Sequence, residues 1–260
     1  MDLELTGRRA VVTGGSRGIG LAVGRALAAE GVDVALVART EDALERAAAD
    51  VARESGRNVV GVPADTGDDA SVATMLGLVV AQLGGVDILV NAAATPATGA
   101  PFTDDDLEDE FNVKARGYLR CARAVAPLMV ESGWGRIVNI GGLAARQTGN
   151  LVGTVRNVAV AALTKNLADE LGPRGVNVNV VHPGMTRTER TPQAMAAMAQ
   201  SRGVTVEELE RALDGAVSLG RIVTAEEVAA VVTFLASPTS VAINGDPVVV
   251  SGGARGSIHY

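Results

Sequence analysis

The sequence predicts an α/β fold, a doubly wound seven-stranded parallel sheet flanked by helices, in a single domain spanning 1–260. Three observations predict it. Short Val-, Ile- and Leu-rich runs alternate with longer Ala-, Leu-, Glu- and Arg-rich stretches, the sequence pattern of βαβ units. The short runs are mostly apolar, as strands buried on both faces are. Hydrophobic residues make up 47% of the chain but aromatics only 2%, so the core has to be packed from small aliphatic side chains. No repeat, low-complexity tract or linker divides the 260 residues.

The first strand is predicted over Ala10–Thr13. It runs straight into Thr13-Gly14-Gly15-Ser16-Arg17-Gly18-Ile19-Gly20, and helical composition follows over Ile19–Glu30. Glycines are needed there if the turn is tight and the backbone must approach a pyrophosphate, with the next helix aiming its N-terminal N–H groups at the phosphates. A strand before the glycines and a helix after them make the motif specific. Gly14, Ser16, Arg17, Gly18, Ile19 and Gly20 are therefore the expected phosphate cradle of a Rossmann-type dinucleotide site.

The second strand, Val34–Val37, ends in Ala38-Arg39-Thr40. An acid at this strand end would accept hydrogen bonds from the adenosine ribose hydroxyls and repel a 2′-phosphate. No acid stands there. Arg39 and Arg17 suit a dianionic 2′-phosphate through charge-assisted, often bidentate hydrogen bonds. With Thr40 beside them they predict NADP(H) in preference to NAD(H).

Further strands are predicted over Val59–Val62, Ile88–Asn91, Arg136–Ile140, Val176–Val181 and Pro247–Val250. Helices fill the intervals at Ala43–Glu54, Ala70–Leu83, Leu107–Val130, Val155–Leu171 and Ala225–Ala236. The acidic run Asp104–Glu110 sits where a helix should start, so its carboxylates are expected to favour the helix dipole and solvent rather than a metal. Residues 185–220 mix Met, Gln, Thr and Gly at helical spacing after a strand end. They fit either a substrate-covering segment or an ordinary helical hairpin.

A net charge of -7 argues against nucleic acid and anionic membranes as partners. No apolar run nears the ~20 residues of a membrane span. The N-terminal residues lack a secretory pattern, and the lone Cys121 permits no intrachain disulfide. A cytoplasmic protein with a small-molecule substrate is expected.

With those motifs in order, the chain resembles the short-chain dehydrogenase/reductase family over essentially its whole length. The loop Thr13–Gly20 looks like that family's TGxxxGxG turn. Ala64-Asp65-Thr66 is similar to its adenine-contacting position, and Asn91-Ala92-Ala93-Ala94 resembles its NNAG turn. Asn112 falls where the family keeps a helix asparagine that organises a proton-relay water. Val181-His182-Pro183-Gly184 resembles the Pro-Gly turn beside the nicotinamide, with Thr186 and Thr188 placed to reach the carboxamide or phosphates. Leu219-Gly220-Arg221 and Val249–Gly253 resemble late landmarks of the family. The resemblance implies an oxidoreductase that assembles as a homotetramer or homodimer through its two long helices, where Ala159, Ala162 and Leu163 form a small apolar face.

The resemblance also implies a catalytic Ser, Tyr and Lys, and these are missing. The serine position reads Gly142. Aligning Leu163–Ala168 with the family helix puts Gly153 at the tyrosine position and Asn157 at the lysine position. No serine lies between Ser132 and Ser201, no tyrosine between Tyr118 and Tyr260, and no lysine between Lys114 and Lys165, so no shift of register restores the set. Asn157 keeps an amide able to bond ribose hydroxyls but carries no charge. Arg156 reads as a bystander, Lys165 as a surface residue and Tyr118 as core or interface. His182 reads as a turn residue or a titrating group, and Tyr260 as a frayed end or a group acting in a neighbouring subunit. Three classes stay open: a reductase with another proton source, a non-redox cyclase, dehydratase or lyase, and a non-catalytic dinucleotide-responsive binding protein.

Overall fold

The computed structural model describes residues 2–95 and 102–255. In chain order its elements are β1 (Arg9–Thr13), α1 (Gly18–Ala29), β2 (Asp33–Ala38), α2 (Glu41–Ser55), β3 (Val59–Pro63), α3 (Asp69–Leu83) and β4 (Ile88–Asn91). Then come α4 (Asp104–Phe111), a π-turn (Asn112–Arg116), α5 (Gly117–Glu131), β5 (Gly135–Ile140), α6 (Leu151–Leu171) and β6 (Val176–Pro183). The last are β7 (Thr186–Arg187), α7 (Thr191–Arg202), α8 (Val206–Gly215), β8 (Val223–Thr224), α9 (Ala225–Leu235) and β9 (Pro247–Val250).

Seven strands pair in the order β3-β2-β1-β4-β5-β6-β9, all parallel. The direction of winding reverses between β1 and β4, which opens a crevice at the carboxyl ends of those strands. Neighbouring residues of one strand serve opposite faces. Val12 packs with Leu27 of α1 and Val228 of α9, whereas Val11 packs with Met75 of α3, Val125 of α5 and Leu167 of α6. Val, Ala and Leu pack these layers almost alone, in keeping with the shortage of aromatics.

The strands fall where the sequence places them, to within a residue or two at each end. The region expected as one helix over Leu107–Val130 does not. It is α4, a π-turn and α5, and the π-turn carries Asn112 and Lys114. The widened turn packs tightly: a Cβ on Gly117 would stand 2.9 Å from the Thr66 carbonyl oxygen. Arg120 braces it by donating to the carbonyls of Asn112 and Thr66 and to the Asn112 side chain. Apolar periodicity carries no mark of one extra residue in a turn, and π-turns gather at functional sites.

The acidic run needs one correction. Asp106 closes a capping box with Thr103 as expected of a helix start, but Glu110 is buried and pairs with Arg156. Arg156 is thus half of an ion pair rather than a bystander. The segment after β6 forms a helical hairpin, α7 and α8, around Met195, Ala199, Leu209 and Ile222.

A buried polar chain ties β4, β5 and α6 together beneath the crevice. Asn91 Nδ2 donates to Asn139 Oδ1 at 2.9 Å, and Asn139 Nδ2 donates to Thr164 Oγ1 at 2.9 Å. Replacing Asn139→Ala leaves its neighbours unpaired out of water. It is expected to lower the unfolding free energy in urea by about 1–3 kcal/mol with no change in m-value.

Candidate functional site

The glycine loop is held from three sides. Gly15 N–H donates to Val37 O of β2 at 3.0 Å, and Thr13 Oγ1 accepts from the N–H groups of Ala92 and Ala93 at 3.1 and 3.3 Å. Gly14 has φ +68, and a Cβ there would stand 2.7 Å from Ala92 O. A Cβ on Gly20 would stand 2.3 Å from Gly14 O, so α1 can start only if that position is bare. Arg17 occupies the N-cap of α1 without a side-chain cap, leaving the first amides for a ligand. Gly18 N–H donates to both oxygens of Glu189, at 3.1 and 3.2 Å. A carboxylate of the same chain thus bonds an amide at the start of α1, the kind of position that suits an anion.

The loop forms one wall of a cleft of about 750 Å³. Of the expected cofactor residues, the cleft brings together Gly14, Ser16, Arg17, Gly18, Ile19, Gly20, Arg39, Thr40, Asp65, Thr66, Ala92, Ala93 and Thr188. Among the other residues that line it, Glu189, Arg190 and Gln193 come from the segment after β6. Asp65 is partly engaged locally, its carboxylate accepting the Gly67 N–H at 2.8 Å.

The remaining expected residues lie elsewhere around the strand ends. Asn91 is fully buried in the polar chain described above, with Oδ1 lacking a partner. Pro183 ends β6, Gly184 N–H donates to Val250 O, and Thr186 Oγ1 donates to Gly184 O. Asn112 turns its amide away, donating to Gly67 O at 3.1 Å while its Oδ1 accepts from Arg120 at 2.9 Å. Tyr260 lies outside the described residues.

The carboxyl end of β5 holds the other half of the site. Gly142 and Gly153 are each faced by an asparagine. A Cβ on Gly142 would stand 3.0 Å from Asn157 Nδ2, and one on Gly153 would stand 2.9 Å from Asn150 Nδ2. Asn150 also caps α6, its Oδ1 accepting the Gly153 N–H. Asn157 is buried, and its Oδ1 has no partner. His182 is buried, and its Nδ1 accepts the Gly142 N–H at 3.1 Å.

Helix α5 and its π-turn deliver two groups to the same strand end: Tyr118, buried in the core, and Lys114, to which the sequence assigned no role. Lys114 Nζ donates to Gly141 O at 2.8 Å and Tyr118 Oη donates to Ile140 O at 3.1 Å. Burial above all, and the nearby Arg156, push the Lys114 ammonium down to about 7 against the opposing pull of Glu110. Burial drives the Tyr118 hydroxyl well above its ordinary range. Cys121, also buried, is pushed up to about 12 and offers no thiolate near neutral pH. The one available signal for Lys114 was rarity: it is one of two lysines among 23 basic residues. Lys165, the other, is exposed and pairs with Asp169.

Among the described residues, no group of three or more His, Cys, Asp or Glu side chains could hold a metal ion. No described helix is long and apolar enough to cross a membrane.

A doubly wound sheet with an anion-accepting glycine loop at its switch point defines a dinucleotide-binding class of protein. Comparison with known proteins narrows it. The family described as enoyl-(acyl carrier protein) reductase matches residues 14–255. The short-chain reductase protein NovJ of Streptomyces niveus is 35% identical over 247 residues, 94% of this chain and 92% of that one. The 3-oxoacyl-(acyl-carrier-protein) reductase of Pseudomonas aeruginosa is 34% identical over 256 residues, 96% of this chain and 98% of that one. The L-sorbose reductase of Gluconobacter frateurii, solved with NADPH and L-sorbose, superposes with a TM-score of 0.92 at 28% identity, covering 99% of this chain and 100% of the other. The chain belongs to the short-chain dehydrogenase/reductase family of oxidoreductases.

The buried amine makes a prediction for stability. Its pKa is depressed on folding, so the unfolded state binds more protons between the folded and unfolded values and stability rises with pH across that window. Lys114→Met is expected to melt above the wild type at acidic pH, with the gap closing as pH rises from about 7 toward the ordinary lysine value of about 10.4. Scanning calorimetry across that range checks it.

Proposed function

We propose that the protein is an NADP(H)-dependent oxidoreductase acting on a small organic substrate with a polarisable C=O, C=N or conjugated C=C bond. Its proton handling differs from a Ser-Tyr-Lys arrangement because those positions are Gly142, Gly153 and Asn157. The observation that carries this reading is the cleft itself: the Gly18 amide bonded to the Glu189 carboxylate, with Arg17 and Arg39 on its lining and no acid at the end of β2. Two exposed guanidiniums favour a ribose bearing a 2′-phosphate. NADPH is present in the solved L-sorbose reductase and in an actinorhodin polyketide ketoreductase that superposes with a TM-score of 0.90 at 31% identity.

The bound nicotinamide would supply a hydride. The chain's own residues do the rest. Gly14, Gly18 and the start of α1 bind the pyrophosphate, Arg17, Arg39 and Thr40 orient the adenosine end, and Asp65 and Thr66 border the adenine. Ala92 and Ala93 pass close under the ribose, with Asn157 within reach of its hydroxyls. Pro183, Gly184, Thr186 and Thr188 border the nicotinamide side. The segment 185–220 covers the substrate, and Glu189 has to leave Gly18 before phosphate can bind. Asn112 serves this site through the π-turn backbone rather than its side chain.

A groove of about 810 Å³ between α5 and α6 is lined by Leu119, Ala126 and Leu163, and it supports assembly as a homodimer or homotetramer. The lack of a hydroxyl at positions 142 and 153 favours, as a second reading, a scaffold that binds the dinucleotide without redox turnover.

Fluorescence titration is expected to give tighter binding of NADPH than of NADH. Arg39→Ala should weaken NADPH by about tenfold or more, the scale of a lost charge-assisted bond, and leave NADH nearly unchanged. Equal affinities would overturn the cofactor assignment. The combined variant Gly142→Ser, Gly153→Tyr and Asn157→Lys is expected to raise ketone reduction, followed as NADPH absorbance. Crowding against Asn150 should destabilise it by about 1–3 kcal/mol.

A further inference from the structure

One strand end carries more hydrogen-bonding capacity than its neighbours use. The Gly141–Gly142 peptide is gripped at both ends: its carbonyl accepts from Lys114 Nζ, and its N–H donates to His182 Nδ1. An ammonium has three N–H donors, and Lys114 commits one of them. Asn157, which faces Gly142 from α6, keeps a buried Oδ1 with no partner. Unused donors and an unused acceptor thus flank the same two glycines. Buried polar groups are nearly always paired, and an oxygen supplied by a ligand at this strand end would complete the set. A hydroxyl or carbonyl oxygen over Gly142 suits both, accepting from Lys114 and, once protonated, donating to Asn157.

The surrounding charges fit a titrating amine. Glu110 from α4 and Arg156 from α6 neutralise each other as an ion pair, Tyr118 from α5 bonds Ile140 O, and His182 from β6 lies across the peptide. None of these is an unpaired carboxylate that would lock Lys114 in its charged form. Nearly every other basic residue in the chain is arginine, which cannot give up its proton near neutral pH, whereas a buried lysine can.

We propose that Lys114 is the proton donor of this site, delivering from the π-turn ahead of α5 the proton that no residue at positions 142, 153 or 157 can supply. The inference rests on the reductase reading above. In carbonyl reduction the substrate carbon gains a hydride equivalent from the reduced nicotinamide. Its oxygen gains a proton as an N–H bond of the Lys114 ammonium breaks and an O–H bond forms. The neutral amine then recovers a proton from solvent. The same ammonium, before transfer, holds the carbonyl oxygen in place.

Two readouts test this together. With only two lysines, labelling the lysine Cε carbons with ¹³C gives two resonances, and exposed Lys165 is the internal reference. The Lys114 signal is expected to titrate with a midpoint of about 7 and to move when NADP⁺ is added, while the Lys165 signal stays put. A Lys114 signal that titrates with the reference and ignores NADP⁺ overturns the proposal. In turnover, Lys114→Met and Lys114→Gln should each lower kcat for carbonyl reduction by roughly 10²-fold or more, with the NADPH Kd unchanged. Wild-type kcat should fall as pH rises through about 7, and Lys114→Arg should lose that titration. Unchanged kcat and pH profile in folded, NADPH-binding variants would overturn the role of Lys114 while leaving the reductase reading intact. A wild type that binds NADPH but reduces no carbonyl compound would overturn both.

Discussion

The close stacking of α1 on the turn after β1 is the constraint from which the site follows. Gly14 and Gly20 allow a backbone approach that any side chain would block. That approach points the free amides of α1 into the crevice where the sheet reverses its winding. Parallel pairing then brings every other functional group to the same edge, since β2, β4, β5 and β6 all present their carboxyl ends there. Arg39, Ala92, Gly142 and Pro183 follow or end four parallel strands and so lie along one edge of the sheet.

The second constraint is desolvation. At the end of β5 the chain buries a lysine, a histidine, a tyrosine and an ion pair. Burying an amine works against folding unless its bonds and neighbours compensate. Gly141 O and the nearby Glu110 give partial compensation, and the remainder lowers the pKa to about 7. A group that destabilises the fold in its charged form, yet sits at the carboxyl end of a central strand, is better explained by chemistry than by packing.

The fold was almost fully legible in the sequence because its determinants are local: apolar runs of strand length, a glycine-rich turn and helical composition between them. The cofactor half of the site was legible for the same reason, since Gly14 to Gly20 and Arg39 are read from one strand-turn-helix and one strand end. The proton-handling half was not. Lys114 lies buried within a π-turn, and hydrophobic periodicity does not register one extra residue in a turn. His182 looked like a turn residue because the following Pro183-Gly184 dominates its local pattern, and only β5 alongside gives its Nδ1 a partner. Glu110 and Arg156 are 46 residues apart in the chain, so their pairing was invisible from either helix. The absence of Ser, Tyr and Lys from the expected positions was clear at once, but which residue stands in for them is a three-dimensional question.

A crystal structure of the protein with NADPH tests the central claim most directly. The account predicts the pyrophosphate on Gly18 with Glu189 rotated away, the 2′-phosphate between Arg17 and Arg39, and the nicotinamide over the Gly141–Gly142 turn. A dinucleotide bound outside this cleft, or bound with Glu189 still on Gly18 and the nicotinamide remote from β5, would contradict it.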